Sequence, residues 1–121
     1  MKRIIMLCFC TLILCSCGVE KDEFAVVEKI NCLQKEELMD DGAILIDVRT
    51  ASEFADAHLD KAINLTVDTI SVNIETLVKD KNTKIIVYCR SGNRSATAAD
   101  TLINLGYKNV YDLGAMDNCS K

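Results

Sequence analysis

The chain runs from Ile85-Ile86-Val87-Tyr88 directly into Cys89-Arg90-Ser91-Gly92-Asn93-Arg94-Ser95, and an alanine-rich segment follows. A continuous apolar run is typical of a strand buried on both faces, so the stretch predicts a strand, a tight loop and then a helix. Unpaired backbone N–H groups and the positive end of the helix dipole would then surround the Cys89 sulfur. Together with Arg90 and Arg94, these groups favour a thiolate over a thiol.

The alternative interpretation of Cys89 is a cysteine that only packs at the end of a strand. Two arginines, a glycine and two hydroxyls follow it within six residues, and such surroundings argue against simple packing. Gly92 is expected to let the backbone turn with a positive φ. Ser95 is expected to cap the helix that follows.

Strand-like and helix-like segments alternate along the rest of the chain. Strands are predicted at residues 24–30, 43–46, 62–65, 84–88 and 110–113, with helices between them. Asn31 and Gln34 predict a capping box for the first helix, whose apolar face is assigned to Leu33, Leu38 and Met39. Ser52 is predicted to cap the second helix, with Glu53 in its first turn. This order indicates an α/β fold of three layers (α/β/α), with a central parallel sheet of about five strands.

The pattern of the first 23 residues indicates an export signal followed by a short tether. Lys2-Arg3 precedes an apolar run too short to span a bilayer comfortably. Leu14-Cys15-Ser16-Cys17 resembles a bacterial lipoprotein signal, which implies a signal peptide at residues 1–16 and a lipid on Cys17. A short anchor helix that stays attached is the alternative. Either interpretation places the domain, residues 24–121, at a membrane of the bacterial cell envelope, facing the periplasm or the exterior.

Charge and cysteine content narrow the possible functions. The formal net charge of −4 gives no support for nucleic-acid binding. If Cys17 is lipidated, only Cys32, Cys89 and Cys119 remain in the domain, an odd number. Cys32 is expected in the core, whereas Cys119 is either a bystander or a resolving thiol. No metal site is predicted, because the chain has one histidine, His58, and no suitable cysteine spacing.

Several motifs taken in order resemble the rhodanese domain. The resemblance covers residues 24 to about 113 and rests on these segments: Ile46-Asp47-Val48-Arg49, Glu53-Phe54, His58-Leu59, Ala62-Ile63-Asn64 and the Cys89 loop. Four residues separate Cys89 from Arg94. Related phosphatases and arsenate reductases have a loop longer by one residue, so the shorter loop resembles the sulfurtransferase form.

The resemblance implies a sulfurtransferase that uses no cofactor. Cys89 would take a sulfur from thiosulfate, a polysulfide or a persulfide, and pass it to cyanide or a thiol, including a thioredoxin-like protein. The residues implied to hold the substrate are Arg90, Ser91, Gly92, Asn93, Arg94 and Ser95. Those implied to support the site are Asp47, Arg49, Glu53 and His58.

Two departures from the family pattern bear on the substrate. Ala57 and Lys61 stand where glycines are common in the family, and Leu113-Gly114-Ala115-Met116 lacks the usual paired glycines and aromatic residue. Two other functions stay open: a persulfide carrier that serves one partner without turnover, and a phosphatase-like or arsenate-reducing activity.

Overall fold

The computed structural model describes residues 25–119. The predicted signal peptide, the lipidated Cys17 and the tether up to residue 23 lie outside the described residues, so the boundaries drawn there stay predictions. No helix within the described part is long and apolar enough to cross a membrane.

Five parallel strands form one sheet in the order β1-β5-β4-β2-β3. The strands are β1 (Glu28–Lys29), β2 (Ile44–Asp47), β3 (Ile63–Asn64), β4 (Lys84–Cys89) and β5 (Asn109–Ala115). The helices are α1 (Cys32–Asp40), α2 (Ala51–Asp56), α3 (Ile70–Leu77) and α4 (Asn93–Asn104), followed by a 3₁₀ turn at Met116–Asn118. The predicted three-layer α/β/α fold with a parallel sheet is confirmed.

Side chains of the central strand β4 alternate between two cores. Ile85, Val87 and Cys89 face one core, and Ile86 and Tyr88 face the other. All five are fully buried, because helices cover both faces of a parallel sheet. The alternation points Cys89 toward the side of the sheet on which α3 and α4 pack.

Two predictions about the helix starts have different outcomes. Asn31 and Gln34 form the predicted capping box, with both bonds at 2.9 Å. The cap of α2 is Thr50 and not Ser52: the Glu53 N–H donates to Thr50 Oγ1 at 3.2 Å. Thr50 has extended backbone angles, and the helix begins directly after it, so Ser52 is already inside the first turn.

Two apolar segments differ from the prediction. Leu33 was assigned to the buried face of α1 but is 77% exposed; only Leu38 and Met39 pack against the core. The first strand is only Glu28–Lys29, because these are the residues that pair with Tyr111 and Asp112 of β5.

Cys32 and Cys119 form a disulfide, with their Cα atoms 5.3 Å apart. This corrects two expectations, since Cys32 is not a simple core thiol and Cys119 is neither a bystander nor a resolving thiol. The bond joins the first residue of α1 to the end of the 3₁₀ turn. It also accounts for the odd count, because Cys89 is the free cysteine of the described part of the chain.

Candidate active site

Cys89 is the last residue of β4, and its thiol lies under the loop that leads into α4. Its Sγ accepts a hydrogen bond from the Gly92 N–H at 3.0 Å. Burial raises the pKa of the Cys89 thiol, but the N–H and hydroxyl of Ser95 and the N–H groups of Gly92 and Ser91 outweigh it, and the pKa is lowered. The loop therefore stabilises a negative charge on the sulfur.

Gly92 and Ser95 place these donors. Gly92 occupies the cap position of α4 with φ +97°, and no side chain caps the helix. The prediction that Ser95 caps α4 is wrong, because the helix already begins at Asn93 and Ser95 lies in its first turn. The Ser95 hydroxyl instead donates its one proton to the Gly92 carbonyl at 3.0 Å. When Cys89 is ionised, the same hydroxyl can turn to donate to the sulfur, and in this way it lowers the pKa of the thiol. The donors at the start of α4 therefore stabilise the Cys89 sulfur, and no side chain caps the helix.

Arg94 is held by Glu53 of α2. Its Nη1 donates to Oε1 at 2.7 Å and its Nη2 donates to Oε2 at 3.0 Å. The Arg94 guanidinium is the main reason that the pKa of Glu53 falls to about 2. Glu53 raises the pKa of Arg94, and the charge of Cys89 adds a smaller effect in the same direction. This contact joins the Cys89 loop to α2, whereas the implied part of Arg94 in holding the substrate stays a prediction.

Asp47 and Arg49 form a buried ion pair at the carboxyl end of β2. The Arg49 Nη2 lies 2.6 Å from Asp47 Oδ2 and also donates to the Ala57 carbonyl at 2.6 Å. Asn64 donates to the carbonyls of Asp47 and Arg49, both at 3.0 Å. These bonds fix the segment that carries α2 and therefore the position of Glu53.

Tyr88 belongs to the same support, and the sequence reasoning missed it. Its hydroxyl accepts the Leu59 N–H at 3.0 Å, and the Arg49 guanidinium lies 5.8 Å from its ring centroid. The apolar run that contains Tyr88 marked it as a core residue and gave no sign of this contact. Asn64 belongs to the motif Ala62-Ile63-Asn64, but no structural role was predicted for it.

His58 lies two residues after the end of α2 and is exposed. Its Nδ1 is 2.8 Å from the Phe54 carbonyl oxygen, and its ring stacks on Phe54 with centroids 3.8 Å apart. The structure thus places His58 in contact with Phe54 of the helix that precedes it.

Two open cavities flank the Cys89 loop, and Cys89 lines neither of them. The first, here called the Arg90 cavity, has a volume of about 280 Å³ and is lined by Arg49, Glu53, Asp56, Ala57, Arg90, Met116 and Asp117. The second has a volume of about 500 Å³, and Ser91, Gly92 and Asn93 contribute to its lining. Two of the residues at which the chain departs from the family pattern, Ala57 and Met116, line the Arg90 cavity.

The 3₁₀ turn forms part of both cavities, and the sequence did not predict it. Met116 and Asp117 line the Arg90 cavity, whereas Asn118 lines the second one. Ala115, the last residue of β5, is the register partner of Cys89, so the turn begins at the level of the sulfur. Within residues 25–119, no group of acidic, histidine or cysteine side chains could hold a metal ion.

Comparison with known proteins agrees with this geometry. A family model described as "Rhodanese-like domain" matches residues 33–118. The thiosulfate sulfurtransferase PspE of Escherichia coli is 35% identical over 71 residues, which cover 59% of this chain and 68% of that protein. A Schizosaccharomyces pombe protein, named provisionally as a mitochondrial thiosulfate sulfurtransferase, is 37% identical over 95 residues, covering 69% of this chain and 66% of that protein.

A solved structure described as an E. coli rhodanese with anions is similar in fold. It superposes with a TM-score of 0.62 at 32% identity and covers 64% of this chain and 91% of that one. The chain spans about two thirds of the length of the two sulfurtransferases.

Proposed function

We propose, from the premise that this chain belongs to the rhodanese-like domain family, that it is a sulfurtransferase in which Cys89 carries the transferred sulfur as a persulfide. The observation that carries the proposal is the Cys89 thiol at the end of β4, which accepts the Gly92 N–H at 3.0 Å and has a lowered pKa. A thiolate is the form of cysteine that attacks sulfur.

The first half-reaction loads the sulfur. The Cys89 thiolate attacks the outer sulfur of thiosulfate, a bond forms between the two sulfur atoms, and sulfite leaves with the electron pair of the broken bond. The outer sulfur of the resulting persulfide carries the negative charge. The donors that the loop holds close to Cys89 Sγ, among them the Gly92 N–H at 3.0 Å, are fixed in advance, so they can stabilise this charge without reorganising.

The second half-reaction unloads the sulfur. Cyanide or the thiolate of an acceptor attacks the outer sulfur, the sulfur–sulfur bond breaks, and Cys89 returns to a thiolate. A small thiol or a thioredoxin-like protein can serve as the acceptor. No external oxidant or reductant enters either step.

Two features keep the loop in shape while the sulfur enters and leaves. The Arg94–Glu53 pair joins α4 to α2, and the buried Asp47–Arg49 pair holds the segment before α2. Four residues between Cys89 and Arg94 give a short loop, which favours a single extra sulfur over a tetrahedral oxyanion.

Loading with thiosulfate tests the proposal directly. The purified chain is incubated with thiosulfate and its intact mass is measured before and after cyanide is added. We expect a gain of one sulfur atom, its loss on cyanide treatment, and thiocyanate as the product over many turnovers. Cys89→Ser, which keeps the size of the side chain, is the control and should gain no sulfur. A wild-type chain that gains none would contradict the proposal, and one that loads once without turnover would point to a carrier.

The location of the protein is a second part of the proposal. Residues 1–16 act as a lipoprotein signal, and Cys17 carries the lipid that holds the domain at a membrane of the cell envelope. The disulfide between Cys32 and Cys119 supports an exported domain, because disulfides persist mainly in oxidising compartments. The test is membrane fractionation of the wild type and Cys17→Ser, with the mass of the mature N-terminus. Retention of residues 1–16 in the wild type would contradict it.

A further inference from the structure

The charged groups of the Arg90 cavity differ in whether they already have partners. Arg49 is paired with Asp47, and Glu53 is paired with Arg94. Three charged residues of the lining remain: Arg90, Asp56 and Asp117. All three are exposed, and none forms an ion pair within residues 25–119.

These three residues come from different elements that meet at the cavity. Arg90 belongs to the Cys89 loop, Asp56 is the last residue of α2, and Asp117 lies in the 3₁₀ turn. The cavity therefore presents one guanidinium and two carboxylates to an incoming molecule. A molecule with a carboxylate and an ammonium group would find a partner for each of its charges in this cavity.

The position of Asp56 has no evident benefit for the fold. A carboxylate at the C-terminal end of a helix meets the negative end of the helix dipole, which is unfavourable. Asp117 is likewise exposed and makes no ion pair with the described residues. Both aspartates line the same cavity as Arg90, which points to a role toward a ligand.

We propose that Asp56 and Asp117 determine specificity for a zwitterionic thiol, an amino acid or short peptide, as the sulfur acceptor. This rests on the sulfurtransferase function proposed above. The carboxylate of the acceptor binds Arg90, and its ammonium group binds the two aspartates. Its thiolate attacks the outer sulfur of the Cys89 persulfide, the acceptor leaves as a persulfide, and Cys89 regains its thiolate. A cavity of about 280 Å³ has room for such a molecule, with Ala57 and Met116 as apolar wall.

A comparison of four acceptors tests the proposal, with thiosulfate as the donor throughout. Cysteine carries both charges, cysteamine carries only the ammonium, 3-mercaptopropionate carries only the carboxylate, and cyanide carries neither group. The wild type is compared with the double variant Asp56→Asn, Asp117→Asn. Asp100→Asn, a change at an exposed position on α4, is the matched control. For each acceptor, kcat/KM of a variant is divided by kcat/KM of the wild type. The intrinsic reactivity of each thiol cancels in this ratio.

We expect kcat/KM of the double variant to fall about threefold to tenfold for cysteine and cysteamine, in line with two exposed ion pairs. It should stay level or rise for 3-mercaptopropionate and stay level for cyanide, and Asp100→Asn should change none of them. Equal ratios for cysteine and 3-mercaptopropionate would overturn the specificity role. A wild type that transfers no sulfur even to cyanide would instead overturn the sulfurtransferase function, so the two failures are distinguishable.

Discussion

Arg94 and Glu53 face each other in parallel, with two hydrogen bonds of 2.7 and 3.0 Å that join the first turn of α4 to the first turn of α2. Glu53 also accepts the Thr50 N–H and completes the capping box of α2. One carboxylate therefore starts a helix and braces the loop of the nucleophile. A change at Glu53 should disturb both the stability of the fold and the geometry around Cys89.

The Glu53 carboxylate should make the free energy of unfolding depend on pH. Its pKa in the folded chain, about 2, lies below its ordinary value of 4.5, so the carboxylate stabilises the fold fully above pH 4.5. This contribution is lost as the pH falls toward 2. Glu53→Gln should lower the free energy of unfolding at pH 7 by about 0.5–1 kcal/mol. On acidification this free energy should fall less in the variant than in the wild type. Urea titrations at pH 7, 4 and 3 measure both effects, and parallel pH profiles for the two chains would contradict the prediction.

Ser95 should set the acidity of the nucleophile. Ser95→Ala removes the hydroxyl that stabilises the Cys89 thiolate but keeps the backbone N–H, so burial is opposed by fewer hydrogen bonds and the pKa of the thiol should rise. The rate of alkylation by iodoacetamide, measured against pH, reports this value. Thr97→Ala is the matched control, because Thr97 is an exposed hydroxyl on the same helix that donates to the Asn93 carbonyl. Identical profiles for the two variants would contradict the assignment.

Gly92 should be required for sulfur loading because of its place beside Cys89, and for stability because of its left-handed backbone. Gly92 and Gly106 have nearly equal φ angles, +97° and +95°, and neither would bring a new Cβ closer than 3.8 Å to another atom. Alanine at either site should therefore cost a similar 1–2 kcal/mol of stability, from the left-handed backbone alone. Only Gly92→Ala should also lower the rate of sulfur loading, because it displaces the N–H that donates to Cys89 Sγ. Loading rates that fall equally in both variants would contradict this.

The Cys32–Cys119 disulfide should carry a large share of the stability. It closes a loop with a sequence separation of 87 residues, and a loop of this length is expected to stabilise the fold by about 4 kcal/mol. Cys119→Ser and Cys32→Ser should each lose this amount, and the double variant should lose no more than either single one. Denaturation with and without a reductant measures the loss, and a wild type insensitive to the reductant would refute it.

The sequence predicts the sheet well because apolar runs such as residues 85–88 have few alternatives to a buried strand. The capping box of Asn31 and Gln34 was predictable because it is local. Leu33 was assigned wrongly because exposure depends on the packing of segments distant in the chain. The error at Ser52 had a local cause, because Thr50 stands two residues earlier and forms a capping box with Glu53 that the sequence already contained. Cys89 and its loop were visible as a motif, whereas the Arg94–Glu53 pair spans 41 residues and left no local pattern.

The disulfide makes most of the described chain a covalent ring, because it joins the residue that begins α1 to the residue that follows the 3₁₀ turn. A single proteolytic cut between Cys32 and Cys119 would release no fragment until the bond is reduced. The turn that carries Met116 and Asp117 would stay attached at its far end even when a surface loop is opened. A chain nicked in this way would therefore keep the turn that lines the Arg90 cavity.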